Sequence, residues 1–185
     1  QQLIDPEQLL REGGFYLLLF VVFAETGLFV GFFLPGDSLL FAAGIYIEDL
    51  SKEFFDIHYS FVLLLVIIAS VLGNIVGYWF GNKTGPLLFE RRETWIFKPK
   101  YLVRAKNFYD KYGKATIFLA KFLPMIRTFA PIVAGIVNMP RATFLFYNIT
   151  GSIAWVCSMM LGGYFLQTWA EKEFGISLKD HIEAI

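Results

Sequence analysis

The sequence predicts an all-α integral membrane protein built as an inverted repeat, each unit a re-entrant hairpin followed by a transmembrane helix. Three observations carry this. Residues 59–82 and 142–170 run for 24 and 29 residues without a charge, lengths at which a helix crosses a bilayer core. Two other apolar stretches, 15–47 and 115–140, hold isolated charges and are interrupted by proline. These two stretches also resemble each other. Phe33-Leu-Pro-Gly-Asp runs on to Ala43-Gly44-Ile45, and Phe122-Leu-Pro runs on to Ala134-Gly135-Ile136. The composition agrees: 56% hydrophobic, 18% aromatic and a mean hydropathy of +0.55 exceed what a soluble domain of this size carries.

In chain order, residues 1–14 are polar. Asp5-Pro6-Glu7 reads as a helix start, with Asp as cap and Pro at the first helical position, opening a short interfacial helix. The start at Gln1 without methionine reads as a trimmed or processed piece, and no signal peptide is visible.

Residues 15–82 form the first repeat. Phe15 to Leu34 holds one charge, Glu25, before Pro35-Gly36-Asp37. Ser38 to Ile47 is apolar but too short to cross. Either 15–34 spans the membrane and a surface turn follows, or 15–47 is a re-entrant hairpin turning at Pro35 and Gly36. Non-helical backbone at that depth must lie against protein or a watery cavity. Residues 48–59 are an acidic loop, and the first transmembrane helix follows at 59–82. It carries Gly73, Gly77, Gly81 and, just beyond, Gly85, every fourth residue, which strips one helix face for close packing.

Residues 83–114 are basic, with nine lysines and arginines against three acids. The positive-inside rule makes this linker cytoplasmic. From Pro99 to Gly113 its apolar positions recur at helical spacing, which reads as an amphipathic helix on anionic headgroups. Tethered between membrane segments, it is not read as a nucleic-acid binder.

Residues 115–170 form the second repeat. Residues 115–140 carry Lys121 and Arg127 and are broken by Pro124 and Pro131, so they read as a second re-entrant hairpin. The second transmembrane helix, 142–170, has small residues at Thr150, Ala154, Ser158 and Gly162, another every-fourth ladder, and Trp155 and Trp169 as interface or packing residues. Residues 171–185 are a polar C-terminal segment. One hairpin plus one span is an odd number of crossings, so successive units invert, as in many secondary transporters.

Four charges thus fall within apolar stretches: Glu25, Asp37, Lys121 and Arg127. Each alone at the centre of a membrane helix costs roughly 2.5–3.5 kcal/mol, so pairing across the repeats is expected. The alternatives are inert salt bridges or snorkelling charges. Asp37 also suits a turn, or the N-cap of a helix starting at Ser38. The functional reading makes Arg127 and Lys121 an anion or phosphate site and Glu25 and Asp37 its proton-coupling acids. An anion on Arg127 would release an acid to take up a proton.

Other chemistry is not signalled. Cys157 is the one cysteine, which excludes an internal disulfide. His58 and His181 lie far apart, and no metal-ligand spacing, nucleophile elbow or phosphate loop occurs. No metal or cofactor is expected, and an enzyme such as a membrane phosphatase lacks a recognisable nucleophile.

The residues quoted resemble the DedA family of bacterial membrane proteins, whose eukaryotic relatives are the VTT-domain scramblases. Glu25 followed by Pro35-Gly36-Asp37-Ser38 is similar to the family. So are Asn74-x-x-Gly77-Tyr78 with Gly81 and Gly85, and Phe118 to Met139 with Lys121, Pro124, Arg127 and Pro131. Asn148-x-x-Gly151-x-x-x-Trp155 and Gly163-Tyr164 complete the likeness over roughly 15–167. The resemblance implies two facing re-entrant hairpins in the bacterial cytoplasmic membrane. It also implies proton-gradient-dependent flipping of a lipid phosphate, either undecaprenyl phosphate or a phospholipid. Its essential acids fall on Glu25 and Asp37, and its basic pair on positions 121 and 127. The family usually has arginine at position 121, so Lys121 keeps the charge without the bidentate fork. Many members also end in a further apolar helix. The expected partners are a membrane lipid and protons, with homo-oligomerisation left open. A proton-coupled transporter of a small ion or osmolyte is the competing expectation, and a structural membrane organiser the plainest.

Overall fold

The computed structural model describes residues 6–27, 36–47, 58–90 and 116–174. The regular structure among them is helical throughout. The helices are α1 (Pro6–Gly27), α2 (Gly36–Ile45), α3 (Tyr59–Glu90), α4 (Thr116–Ala120), α5 (Pro124–Ile136) and α6 (Arg141–Phe174). Pro35 and the amphipathic stretch 99–113 lie outside the described residues.

Helix α1 starts at Pro6 and breaks at Gly14, whose φ of 57° and ψ of −158° suit glycine and few other residues. The break separates a polar first part from an apolar arm, Gly14–Gly27. Helix α2 begins at Gly36, so Asp37 lies inside its first turn. That corrects the expectation of Asp37 as the cap of a helix starting at Ser38. A carboxylate in a first turn still meets the positive end of the helix dipole.

Among the described residues, two helices contain stretches long and apolar enough to cross a membrane, Tyr59–Gly85 and Arg141–Glu173. At about 1.5 Å per residue they exceed a core of about 30 Å. Helix α3 continues to Glu90, past the expected end at Asn82. Within this extension the Thr84 hydroxyl donates back to the Phe80 carbonyl at 2.8 Å, which satisfies a polar group inside an apolar helix. The apolar arms Gly14–Gly27, Gly36–Ile45 and Ile126–Ile136 are each too short to cross alone.

Between α4 and α5 the backbone breaks at Lys121–Leu123. The amides of Lys121, Phe122 and Leu123 each bond the carbonyl three residues back, tightening the end of α4. Leu123 is extended, and Pro124 restarts the helix where a missing N–H is harmless. Ile117 and Ala134, on either side of this break, share one apolar cluster with Tyr78, Met139 and Phe144. Helix α5 ends at Ile136, and in the turn beyond it Asn138 takes a left-handed φ of 55° and accepts from the Asn82 amide at 2.6 Å.

Beside a buried apolar core, the described residues carry long apolar faces on the outside and a set of polar groups inside. Along α3, Phe61, Leu64, Ile68, Leu72 and Val76 are exposed, three or four residues apart. The buried set includes Glu25, Thr26, Ser70, Asn74, Lys121, Arg127, Asn148 and Ser152. Apolar side chains facing out and polar groups facing in are what a hydrocarbon solvent favours.

The chain divides into two compact units. The first comprises Gln1–Val22, Leu34–Ala69 and Ile153–Ile185, the second Phe23–Phe33 and Ser70–Ser152. In the first unit α2 packs on the later part of α6 by a reciprocal exchange of glycines. A Cβ on Gly44 would overlap the Met160 carbonyl, and one on Gly163 would overlap the Phe41 carbonyl. In the second unit α5 packs on α3 in the same way. Gly135 lies on the Tyr78 carbonyl and Gly81 on the Ile132 carbonyl. In both exchanges each glycine follows, by three residues, the carbonyl that its partner glycine covers. A hairpin arm from one half of the sequence therefore packs on the long helix of the other half.

The glycines at four-residue intervals on α3 have separate partners. Gly73 admits Phe23 and Thr26 of α1, Gly77 lies between Gly27 and Pro131, and Gly85 meets Ile136. The ladder expected at Thr150, Ala154, Ser158 and Gly162 is not a packing face. Ser158 is exposed, Thr150 and Ala154 are half-buried, and a Cβ on Gly162 would make only ordinary contact with Phe41. The buried stripe of α6 is the neighbouring one, through Asn148, Gly151, Ser152, Trp155, Gly163 and Gln167.

Candidate functional site

The second unit holds a polar interior assembled from α1, α3, α5, α6 and the break before α5. Helices α3 and α6 run antiparallel there. Ser70 bonds Ser152 at 3.3 Å, Asn74 bonds Asn148 at 2.6 Å, and the Tyr78 ring stacks on Phe144 with centroids 4.4 Å apart. As one number rises by four, the other falls by four. Residues four apart share a helix face, so each helix presents its polar pair to the other.

Glu25 lies in the last turns of α1 and Arg127 in the first turn of α5. An Arg127 Nη2 hydrogen donates to Glu25 Oε1 in an ion pair whose side chains are 3% and 5% exposed. The glycines explain how α1 comes close enough. Gly73 of α3 leaves room for the Phe23 carbonyl and the Thr26 hydroxyl, and Gly27 for the Gly73 carbonyl. Thr26 then donates to the carbonyls of Phe23 and Ser70, both at 3.3 Å. An Arg–carboxylate pair in such a setting is a strong, charge-assisted contact. Removing one partner strands the other charge.

Lys121 lies in the break between α4 and α5, is 3% exposed, and donates to the Ser70 hydroxyl at 2.9 Å. With the Asn74 carboxamide turned over, in place of its bond to Asn148, its oxygen faces the Lys121 ammonium and its nitrogen the Thr26 carbonyl at 3.0 Å. Gly151 makes room for this side chain, since a Cβ there would come within 3.2 Å of Lys121 Cγ. The network extends from Ser152 to Asn148, and from the Asn148 amide to the Val71 carbonyl at 3.2 Å. Two cations and one carboxylate thus share one interior.

Asp37 belongs to the first unit. Its Oδ1 accepts from the Trp155 indole N–H at 3.0 Å, and Trp155 is fully buried. Gly36 is buried beside it, while Pro124 is exposed and Pro131 buried within α5. Sequence reasoning did not place Thr26, Ser70, Asn148, Ser152 or Trp155 in a site. The available signal was the pair of neutral polar residues one turn apart in each long apolar helix, Ser70 with Asn74 and Asn148 with Ser152.

The described residues combine two helices long and apolar enough to cross a membrane with exposed apolar faces and a buried ion pair. The VTT domain matches residues 34–165. The chain is 43% identical over 154 residues to Protein DedA of Escherichia coli K12, covering 83% of this chain and 69% of that protein. It is 32% identical over 161 residues to Inner membrane protein YqjA of the same organism, covering 83% and 68%. An uncharacterized membrane protein of Mycobacterium tuberculosis is 38% identical over 149 residues, covering 80% and 64%. No solved structure matches the chain. The chain belongs to the DedA family of VTT-domain membrane proteins.

Proposed function

We propose that this chain is a proton-gradient-dependent translocator of a lipid phosphate, undecaprenyl phosphate or a phospholipid, across the bacterial cytoplasmic membrane. The observation that carries the reading is the buried Glu25–Arg127 pair with Lys121 in the same interior. A phosphate and the Glu25 carboxylate are both anions and compete for one guanidinium. When the phosphate takes Arg127, Glu25 loses its counter-charge in a desolvated setting, where a lone carboxylate is costly. It then takes up a proton. Loss of that proton on the other side restores the pair and expels the phosphate. Lys121 supplies a second positive charge, and Asp37, held by Trp155, is assigned as a further proton-coupling acid.

The proposed architecture is an inverted repeat with units 15–82 and 115–170, each hairpin entering and leaving on one side. The short apolar arms, the break at Lys121–Leu123 and the repeated glycine exchange support it. A location in the bacterial inner membrane is assigned by likeness to the inner membrane protein YqjA, and the basic linker 83–114 is assigned to the cytoplasm. The competing reading, proton-coupled transport of a small ion or osmolyte, would use the same charges.

The test is reconstitution into liposomes holding a fluorescent polyprenyl phosphate or phospholipid, comparing the native chain with Arg127→Ala. Flipping that falls to the protein-free rate in the variant supports the proposal. Equal flipping in both removes this site from the mechanism. No lipid movement, with proton-driven uptake of a soluble ion, favours the competing reading.

A further inference from the structure

A crevice of about 330 Å³ opens between α3 and α6 in the second unit, away from the buried ion pair and sharing no residue with it. Its size falls within the range of small-molecule sites, roughly 300–1,000 Å³. The walls are apolar and aromatic. Tyr78 and Phe144 are buried there, while Trp79 is 59% and Leu145 37% exposed. The antiparallel register orders its two ends. Ile75 and Leu145 lie toward one end, and Asn82 and Arg141 toward the other. Arg141 is exposed. Lys83 follows the lining residue Asn82 in sequence and holds its ammonium 5.0 Å from the ring centroid of Trp79, another lining residue, so a second cation borders the crevice.

An apolar slot bordered by two cations matches an amphiphile with an acyl chain and an anionic head. A small anion gains nothing from the slot, and a neutral lipid gains nothing from the cations. Basic pockets between membrane helices take anionic lipid headgroups in this way. We propose that the crevice is a binding site for one anionic phospholipid of the surrounding bilayer. An acyl chain lies along Ile75, Trp79 and Leu145, and the phosphate meets Arg141 and Lys83. Such a lipid is a resident of the outer surface, separate from any lipid handled by Glu25 and Arg127.

The experiment uses the full chain in nanodiscs of equal phosphatidylglycerol and phosphatidylcholine, with retained lipids counted by native mass spectrometry after mild detergent extraction. Expected is about a tenfold preference for phosphatidylglycerol, the change that about 1.4 kcal/mol produces. Arg141→Gln with Lys83→Gln removes that preference, and Leu145→Trp, which fills the slot, lowers retention of both lipids. All variants should keep the native melting temperature, because these side chains are exposed. Equal retention of the two lipids by the native chain overturns the proposal. So does a preference that survives the double substitution. If Leu145→Trp instead converts a dimer to a monomer and leaves lipid retention unchanged, the crevice is a contact between copies and the proposal fails.

Discussion

Glu25 and Arg127, 102 residues apart in sequence, form an ion pair in the interior of the second unit. The pair joins the end of α1 to the start of α5, one element from each half of the chain. Breaking one side of a buried pair costs about 3–5 kcal/mol, while removing both charges together costs far less. Glu25→Gln and Arg127→Gln should therefore each lower the melting temperature in detergent, and the double variant should regain much of the loss. A double variant as unstable as the sum of the singles would show that the two side chains do not act as a pair.

The glycine exchange makes a steric prediction. Gly81→Ala or Gly135→Ala drives a Cβ into a backbone carbonyl, and Gly44→Ala or Gly163→Ala does the same in the first unit. Overpacking of this kind costs about 1–3 kcal/mol. Gly162→Ala meets only ordinary contact and should be neutral or stabilising by up to about 1 kcal/mol, since alanine favours a helix interior over glycine. Thermal unfolding of the five variants in one detergent ranks them, and equal effects at Gly162 and Gly81 would contradict the packing.

Trp155 holds Asp37 by its indole N–H, 3.0 Å from the carboxylate, and the proposed function makes that bond testable. Trp155→Phe keeps most of the buried ring and removes the indole N–H that Asp37 accepts. A hydrogen bond to a charged group contributes about 1.5–3 kcal/mol. The variant should lose transport to the same degree as Asp37→Asn, and the two together should lose little more than either alone. Full transport by Trp155→Phe would leave the tryptophan a packing residue only.

The helices were legible because apolar length is written directly in the sequence. Runs 59–82 and 142–170 could hardly be anything but long apolar helices. Glu25, Lys121 and Arg127 were conspicuous because a charge in an apolar run is rare. Neutral polar residues carry no such flag, so the contributions of Ser70, Ser152 and Asn148 emerge only from the α3–α6 register. Spacing also shows that a face is stripped without showing what covers it. Gly73, Gly81 and Gly85 face close neighbours and Gly77 an ordinary contact with Pro131 and Gly27, whereas Thr150, Ala154, Ser158 and Gly162 have the same period and lie one stripe away from the buried face. The choice of partner, α2 with α6 and α5 with α3, depends on contacts between halves that no local pattern encodes.

The exchange of phosphate for carboxylate on Arg127 is tested most directly through Glu25. Lipid flipping is measured in liposomes with and without an imposed pH gradient, for the native chain and for Glu25→Gln, at matched protein content. The native chain should flip faster with the gradient, and Glu25→Gln, which cannot exchange a proton at this site, should lose that dependence. Glu25→Gln that retains the full gradient dependence would contradict the coupling.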